Sequence, residues 1–201
     1  MKLVLATHNR DKVLEITGVM SGLPVVLSAA YDFPLVPEPE ETGVTLEENA
    51  WIKASALMEA TGLPALADDT GLFVEALGGR PGVRSARYAG ESGNYRENVL
   101  KLMNEMTGVP EERRGAAFRT VVAIAFPSEK PVYIRGEISG LILEAPHGEG
   151  GFGYDPVFRP LESVLSFAEM TTAEKNRISH RGRAFRLVRE WLEIRLGLSR
   201  D

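Results

Sequence analysis

Lys2-Leu3-Val4-Leu5-Ala6-Thr7-His8-Asn9-Arg10-Asp11-Lys12, with the segment that continues to Met20, decides the fold class of this chain. Lys2 to Ala6 is a short apolar run with the character of a buried strand, and Thr7 to Asn9 is a polar turn. From about Arg10 to Met20 the apolar positions Val13, Leu14, Ile16 and Val19 recur at helical spacing. A strand, a tight loop and a helix in that order open an α/β fold.

Working outward, Pro24 to Ser28 is a second short strand, and Tyr31 to Glu41 is a proline-rich acidic loop. Thr45 has the place of a helix cap. Glu48, three residues on, completes a capping box, and Ala50, Ile52, Ala54, Leu57 and Met58 follow on a helix that ends at Gly62. Pro64 to Ala67 is a strand whose C-terminal end delivers Asp68-Asp69-Thr70-Gly71, with apolar character resuming from Leu72 to Val74. Asn94 to Met106 is an amphipathic helix. Ala116–Phe126 and Val132–Leu143 are rich in β-branched and aromatic residues, as two longer strands of an antiparallel pair would be. A glycine-rich loop at 148–153, a short strand at Val157-Phe158 and a helix from about Arg183 to Leu196 complete the chain. Helices and strands alternate in the first half and strands cluster in the second, which predicts an α/β fold with a mixed sheet.

Composition narrows the function classes. The 201 residues, 44% hydrophobic and 25% charged, suit a chain that folds on its own core. With no cysteine, disulfides, thiolate metal sites and cysteine nucleophiles are excluded. The net charge of −5 disfavours nonspecific nucleic-acid binding, which needs a surface of Lys and Arg. No stretch approaches the roughly 18 apolar residues of a spanning helix, and the N-terminal apolar run is too short for a signal peptide, so the expected address is the cytoplasm.

Four segments could carry chemistry. Thr7, Asn9 and Lys12 surround a helix start, where free N–H groups and the helix dipole favour phosphate; equally, Asn9 or Asp11 could cap the helix while Lys12 is solvated. The glycine-rich GK pattern of a Walker loop is absent. Asp68 and Asp69 are adjacent carboxylates at a buried strand, a costly arrangement that a hard cation such as Mg²⁺ would relieve. Their spacing is not the two aspartates one residue apart of a haloacid-dehalogenase phosphatase. Glu40-Glu41 could add a further ligand or simply be a solvated acidic loop, and Lys53 is a lone lysine inside the second helix, where such a side chain usually snorkels to water. Gly150-Gly151-Phe152-Gly153-Tyr154-Asp155 sets one aromatic between glycines, where it either offers a face to a purine base or tucks into the core. Lys175, His180 and Arg181 precede the last helix as three cations.

In order, Thr7 to Lys12 with Glu15, Glu41-Thr42-Gly43, Glu48-Asn49-Ala50 with Lys53-Ala54, Ala67 to Leu72, Leu77-Gly78-Gly79 with Pro81-Gly82, Ser85 to Tyr88, Gly150 to Pro156 and Ser179 to Gly182 resemble the inosine triphosphate pyrophosphatase family. These are the Ham1-like, non-canonical purine NTP pyrophosphatases. Each motif alone is weak; the ordered set covers nearly the whole chain. The resemblance implies an elongated mixed β-sheet flanked by helices, two lobes around a central nucleotide-binding cleft, one domain over residues 1–201, and a homodimer. It implies Mg²⁺-dependent hydrolysis of ITP, dITP and XTP to the monophosphate and pyrophosphate. Thr7, Asn9 and Lys12, with His8, Arg10 and Asp11 of the same loop and Thr70, would bind substrate. Glu41 and Asp69 would hold Mg²⁺, with Asp69 activating water and Lys53 neutralising phosphate charge. Phe152 would stack on the base, while Gly153, Tyr154, Asp155, Lys175, His180 and Arg181 would line the nucleoside pocket, with Arg181 or backbone N–H groups facing the 6-carbonyl. His8, Thr70 and Leu46 replace residues more frequent in the family. A Maf-like pyrophosphatase lacks the Phe152 and His180-Arg181 constellation, and a non-catalytic nucleotide-binding module does not account for paired aspartates.

Overall fold

The structure, a computed structural model, describes residues 1–90 and 94–198. The expected single domain also includes 91–93 and 199–201, which lie outside the described residues. In chain order the elements are β1 (Lys2–Leu5), α1 (Arg10–Met20), β2 (Val26–Ala29), α2 (Leu46–Thr61), β3 (Ala65–Val74), β4 (Pro81–Gly82), α3 (Tyr95–Glu105), β5 (Gly115–Ala125), β6 (Val132–Ile142), β7 (Phe158–Pro160), α4 (Thr172–Ile178) and α5 (His180–Arg195). The chain forms two compact units: residues 1–69, 120–136 and from 181 onward, and residues 70–119 with 137–180.

In the first unit β1 lies between β2 and β3, parallel to both, with Leu3 opposite Leu27 and Leu5 opposite Leu66. The far part of β5 follows β3, and the start of β6 follows β5. Strand alternation then sorts side chains to two faces. Leu3, Leu5, Leu66, Val122 and Ile124 pack on Ile16 and Met20 of α1 and on Phe185, Val188 and Leu192 of α5. Val4, Ala65, Ala67, Ala123 and Ala125 meet Ala50, Ala54 and Leu57 of α2. Helices cover both faces, which is why these strands read as continuous apolar runs. Burying each large side chain on α5 contributes roughly 1.5–3 kcal/mol. The helix ends follow the sequence signals. Asn9 caps α1, Thr45 and Glu48 form the capping box of α2, and Gly62 ends α2 in the left-handed conformation at φ 68°.

The second unit has its own core of Leu72 and Val74 from β3, Leu102 and Met106 at the end of α3, Phe118 from β5, Ile138 and Ile142 from β6, and Phe158 and Phe167. β4 pairs antiparallel with β3 and β7 with β6. The β3–β4 pairing explains Gly71, because a Cβ there would lie 2.6 Å from the Gly82 carbonyl oxygen and 2.9 Å from its carbon. Gly71→Ala is therefore expected to cost about 1–3 kcal/mol as an overpacked site, read as a lower urea midpoint.

Four elements differ from expectation. β3 does not end at the acids; it runs through them, since β1 stops at Leu5 while β3 continues and Thr120 Oγ1 of β5 donates to the Asp69 carbonyl at 3.0 Å. The last helix begins at His180, not Arg183, and Gly182 lies inside it. Lys175 belongs to a separate helix, α4, capped by a Thr171–Glu174 box; extended backbone at Ser179 (φ −64°, ψ 157°) divides it from α5. That box is an S/T-x-x-E signature readable in the sequence. The last strand is also displaced, with Val157 in a tight turn and pairing confined to 158–160.

Candidate active site

In the first unit the site starts at the loop between β1 and α1. Asn9 Oδ1 accepts the N–H groups of Asp11 at 2.9 Å and Lys12 at 3.2 Å, and the Asn9 N–H donates to Thr7 Oγ1 at 3.1 Å. The cap reading of Asn9 therefore holds, but Lys12 is not solvated: its ammonium lies 3.1 Å from Asp68 Oδ2. The exposed residues of the loop point elsewhere. His8 Nδ1 lies 3.6 Å from Glu38 Oε2, and the Arg10 guanidinium stands 5.3 Å from the Tyr31 ring centroid. Asp11 is exposed at the helix start.

The pleat of β3 separates the two adjacent aspartates. Asp68 falls on the face of Leu66, towards α1 and α5, and Asp69 falls on the face of Ala65 and Ala67, towards α2. Each carboxylate thus has its own nearest cations, Lys12 and Arg181 for Asp68 and Lys53 for Asp69. Asp68 Oδ2 accepts from Lys12 and from Arg181 Nε and Nη2 at 3.1 and 3.0 Å, while Arg181 Nη1 donates to Glu15 Oε2 at 2.6 Å. Burial alone would push Asp68 up, but Lys12 and Arg181 outweigh it and hold the carboxyl well below the usual range. Lys12 moves the other way: burial pulls it down, Asp68 pulls it up, and Lys53 and Arg181 pull it further down, leaving it below an ordinary lysine. Glu15, one turn after Lys12 on the same helix face, was not singled out from the sequence as a site residue; its i, i+3 spacing was the available signal.

On the other face, Lys53 is 7% exposed and not snorkelling, because α2 lays it over β3. Its ammonium bonds Asp69 Oδ1 at 2.7 Å and Glu41 Oε1 at 2.8 Å, so one lysine gathers the two carboxylates. Burial works against that charge, yet Asp69 and Glu41 overcome it and hold Lys53 well above its ordinary value. Asp69 is moved upward, because burial outweighs the pull of Lys53 and Lys12. Its second oxygen, Oδ2, is buried with no hydrogen-bond partner among the described residues.

In the second unit Asp155 is the organiser. Its Oδ2 accepts the Phe152 N–H at 2.8 Å and pairs closely with the Lys175 ammonium. That ammonium also lies over the rings of Phe152, at 4.7 Å, and Phe167, at 5.4 Å. Gly151 (φ 66°) is required here, since a Cβ would fall 2.2 Å from Asp155 Oδ2. Phe152 is half-buried rather than tucked into the core, with the ring of Tyr95 5.9 Å away. Tyr154 is buried, its hydroxyl donating to the Ser85 carbonyl at 2.9 Å. His180 is buried against Phe118, rings stacked at 4.6 Å and 16°. Gly153 follows Phe152 at φ 63°, and Thr70 is half-buried in β3. Arg181, expected among the nucleoside-facing residues, has Nε, Nη1 and Nη2 on Asp68 and Glu15 in the first unit. Among the described residues no group of three or more His, Asp and Glu side chains converges as a metal cage. No helix among them is long and apolar enough to cross a membrane.

Comparison with known proteins places these features in context. A model of the Ham1 family matches residues 3–191. The chain is 50% identical over 191 residues to a dITP/XTP pyrophosphatase of Geobacter sulfurreducens, covering 95% of this chain and 96% of that protein. It is 46% identical to a protein of the same name from Streptomyces coelicolor, covering 95% and 98%. Among solved structures it is similar to a HAM1 protein from Coxiella burnetii, at TM-score 0.87 and 38% identity over 96% of this chain and 99% of that one.

Proposed function

The chain belongs to the Ham1 family, and from that premise we propose that it clears ITP, dITP and XTP from the nucleotide pool of the cytoplasm as a single functional domain and a homodimer, using Mg²⁺. It is a nucleoside triphosphate pyrophosphatase, hydrolysing non-canonical purine nucleoside triphosphates to the monophosphate and pyrophosphate.

The single observation that carries the site assignment is Asp69: a buried carboxylate, shifted upward, with one oxygen on Lys53 and the other without a hydrogen-bond partner among the described residues. A divalent cation fits this donor set. Asp69 Oδ2 and Glu41 would hold it, and two carboxylates suffice because Mg²⁺ keeps waters and takes substrate phosphate oxygens for the rest. When bound, the cation neutralises charge developing on the phosphate oxygens. The chain's own residues do the remainder. The start of α1, with Thr7, Asn9 and the positive end of the helix dipole, favours the arriving phosphate oxygens. Lys12, held below an ordinary lysine by desolvation with Lys53 and Arg181 nearby, is favoured by an arriving anion. Lys53 stays charged and keeps Glu41 beside Asp69. Asp69, as a carboxylate at the reacting water, accepts the proton of the water that attacks the α-phosphorus. Phe152 stacks on the base, with Gly153, Tyr154, Asp155, Lys175 and His180 around it. Arg181 acts through Asp68 and Glu15 in setting Lys12. The exposed His8, Arg10 and Asp11, with Thr70, complete the proposed substrate set.

The test is product analysis on ITP, dITP, XTP, GTP, ATP and pyrimidine triphosphates, with Mg²⁺ or with EDTA. Pyrophosphate from the inosine and xanthosine nucleotides, abolished by EDTA and restored by Mg²⁺, is the expected result. Orthophosphate as first product, or turnover indifferent to EDTA, would sink the cleavage and metal assignments respectively. Sedimentation showing only monomer at micromolar concentration would remove the dimer.

A further inference from the structure

If Phe152 carries the base, as the reading above has it, a purine lying on that one ring leaves its opposite face in water. The Phe152 ring is itself firmly held. Its N–H is bonded to Asp155, and the buried Lys175 ammonium, also on Asp155 and near Phe167, stands 4.7 Å from its centroid. The ring beside it is Tyr95, with centroids 5.9 Å apart and planes inclined at 40°. Tyr95 is the first residue of α3, whose start is fixed by the Asn94 cap accepting the N–H groups of Arg96 and Glu97. Its backbone is therefore anchored, yet the residue is 39% exposed. A large aromatic at this place does nothing for the helix: first turns favour acids and small polar residues, and tyrosine is an indifferent helix former.

We infer that Tyr95 is a base-binding residue of this chain, the second wall of an aromatic clamp that closes on a purine opposite Phe152. A base between two rings needs roughly 3.5 Å on each side, about 7 Å in all. From 5.9 Å and 40° the Tyr95 ring has only to swing outward by about 1 Å and flatten, a side-chain rotation open to an exposed residue with two torsions on the picosecond to nanosecond scale. Stacking reads surface and not hydrogen bonds, so the clamp favours the larger purine ring system over a pyrimidine and leaves the choice among purines to polar groups.

This inference rests on Phe152 being the base platform, so the experiment carries Phe152→Ala alongside Tyr95→Ala and Tyr95→Phe. The readouts are KM and kcat for dITP, the Kd of inosine monophosphate, and the inhibition constant of inorganic tripolyphosphate, which has no base. Circular dichroism checks the fold of each variant. Tyr95→Ala is expected to raise KM and the monophosphate Kd by about 5- to 50-fold, the scale of one base–aromatic contact, with KM moving more than kcat. Tripolyphosphate should bind as before, and Tyr95→Phe should restore both constants. An unchanged KM in Tyr95→Ala, a lower one, or an equal loss for tripolyphosphate each overturns the clamp. If Phe152→Ala leaves dITP binding intact, the base platform itself is wrong, whereas a Phe152 effect without a Tyr95 effect sinks the clamp alone.

Discussion

Asp69→Asn is expected to lower kcat by about 10²- to 10⁴-fold, the range of a positioned general base, while leaving the fold intact. Asparagine keeps an acceptor for the Lys53 ammonium, now 2.7 Å from Asp69 Oδ1, but it cannot take the proton of an attacking water. Stability should respond far less than activity. A carboxyl whose value is raised in the folded chain binds protons more tightly there than in the unfolded chain, so its contribution turns unfavourable as pH rises through that window. A neutral amide removes that burden but also weakens the buried pair with Lys53, which keeps Glu41. At neutral pH without added metal, the variant should therefore still unfold cooperatively, with a melting temperature near that of the parent. Undiminished turnover would remove Asp69 from the chemistry. A collapse in melting temperature with proportionate loss of activity would make it a structural residue.

Replacing Arg181 by methionine should produce the largest loss of stability. It would take the guanidinium contacts away from Asp68 and Glu15, both buried, while Lys12 stays on Asp68. Breaking a buried ion pair on one side costs about 3–5 kcal/mol. For a chain of this size, that lowers the melting temperature by on the order of 10 °C. The acid limb should change as well. Asp68 is held below the usual carboxylate range, so its stabilisation is complete above about pH 4 and is lost as pH falls below the unfolded value. Without Arg181 that fall should flatten between about pH 4 and pH 2. Arg181→Lys should recover only part of the loss, because an ammonium cannot direct two donors to Asp68 and a third to Glu15 in one plane. A melting temperature within a degree or two of the parent would show that the pairs contribute nothing net.

Much of this architecture was legible in local signals. Helices α1 and α2 stand where hydrophobic period, capping residues and Gly62 put them, because such signals act within a turn or two of chain. The two long strands lie within a residue of their expected bounds for the same reason. α4 was missed although its capping box is present, since seven residues offer too little period to stand out between cationic positions. Lys53 looked like a solvated lysine among alanines; only β3 under that helix face makes it a buried cation.

The sequence by itself determined the α/β class, the helix termini and the family, because ordered motifs and local periodicity are properties of the chain read in one dimension. What only the tertiary structure decided is how charge is partitioned. Asp68 and Asp69 are neighbours in sequence, yet the pleat of β3 turns one to Lys12 and Arg181 and the other to Lys53 and Glu41. Residues 113 positions apart meet in the first pair and 16 apart in the second. No spacing rule reaches across such separations, because the partners are chosen by which helix covers which face of the sheet.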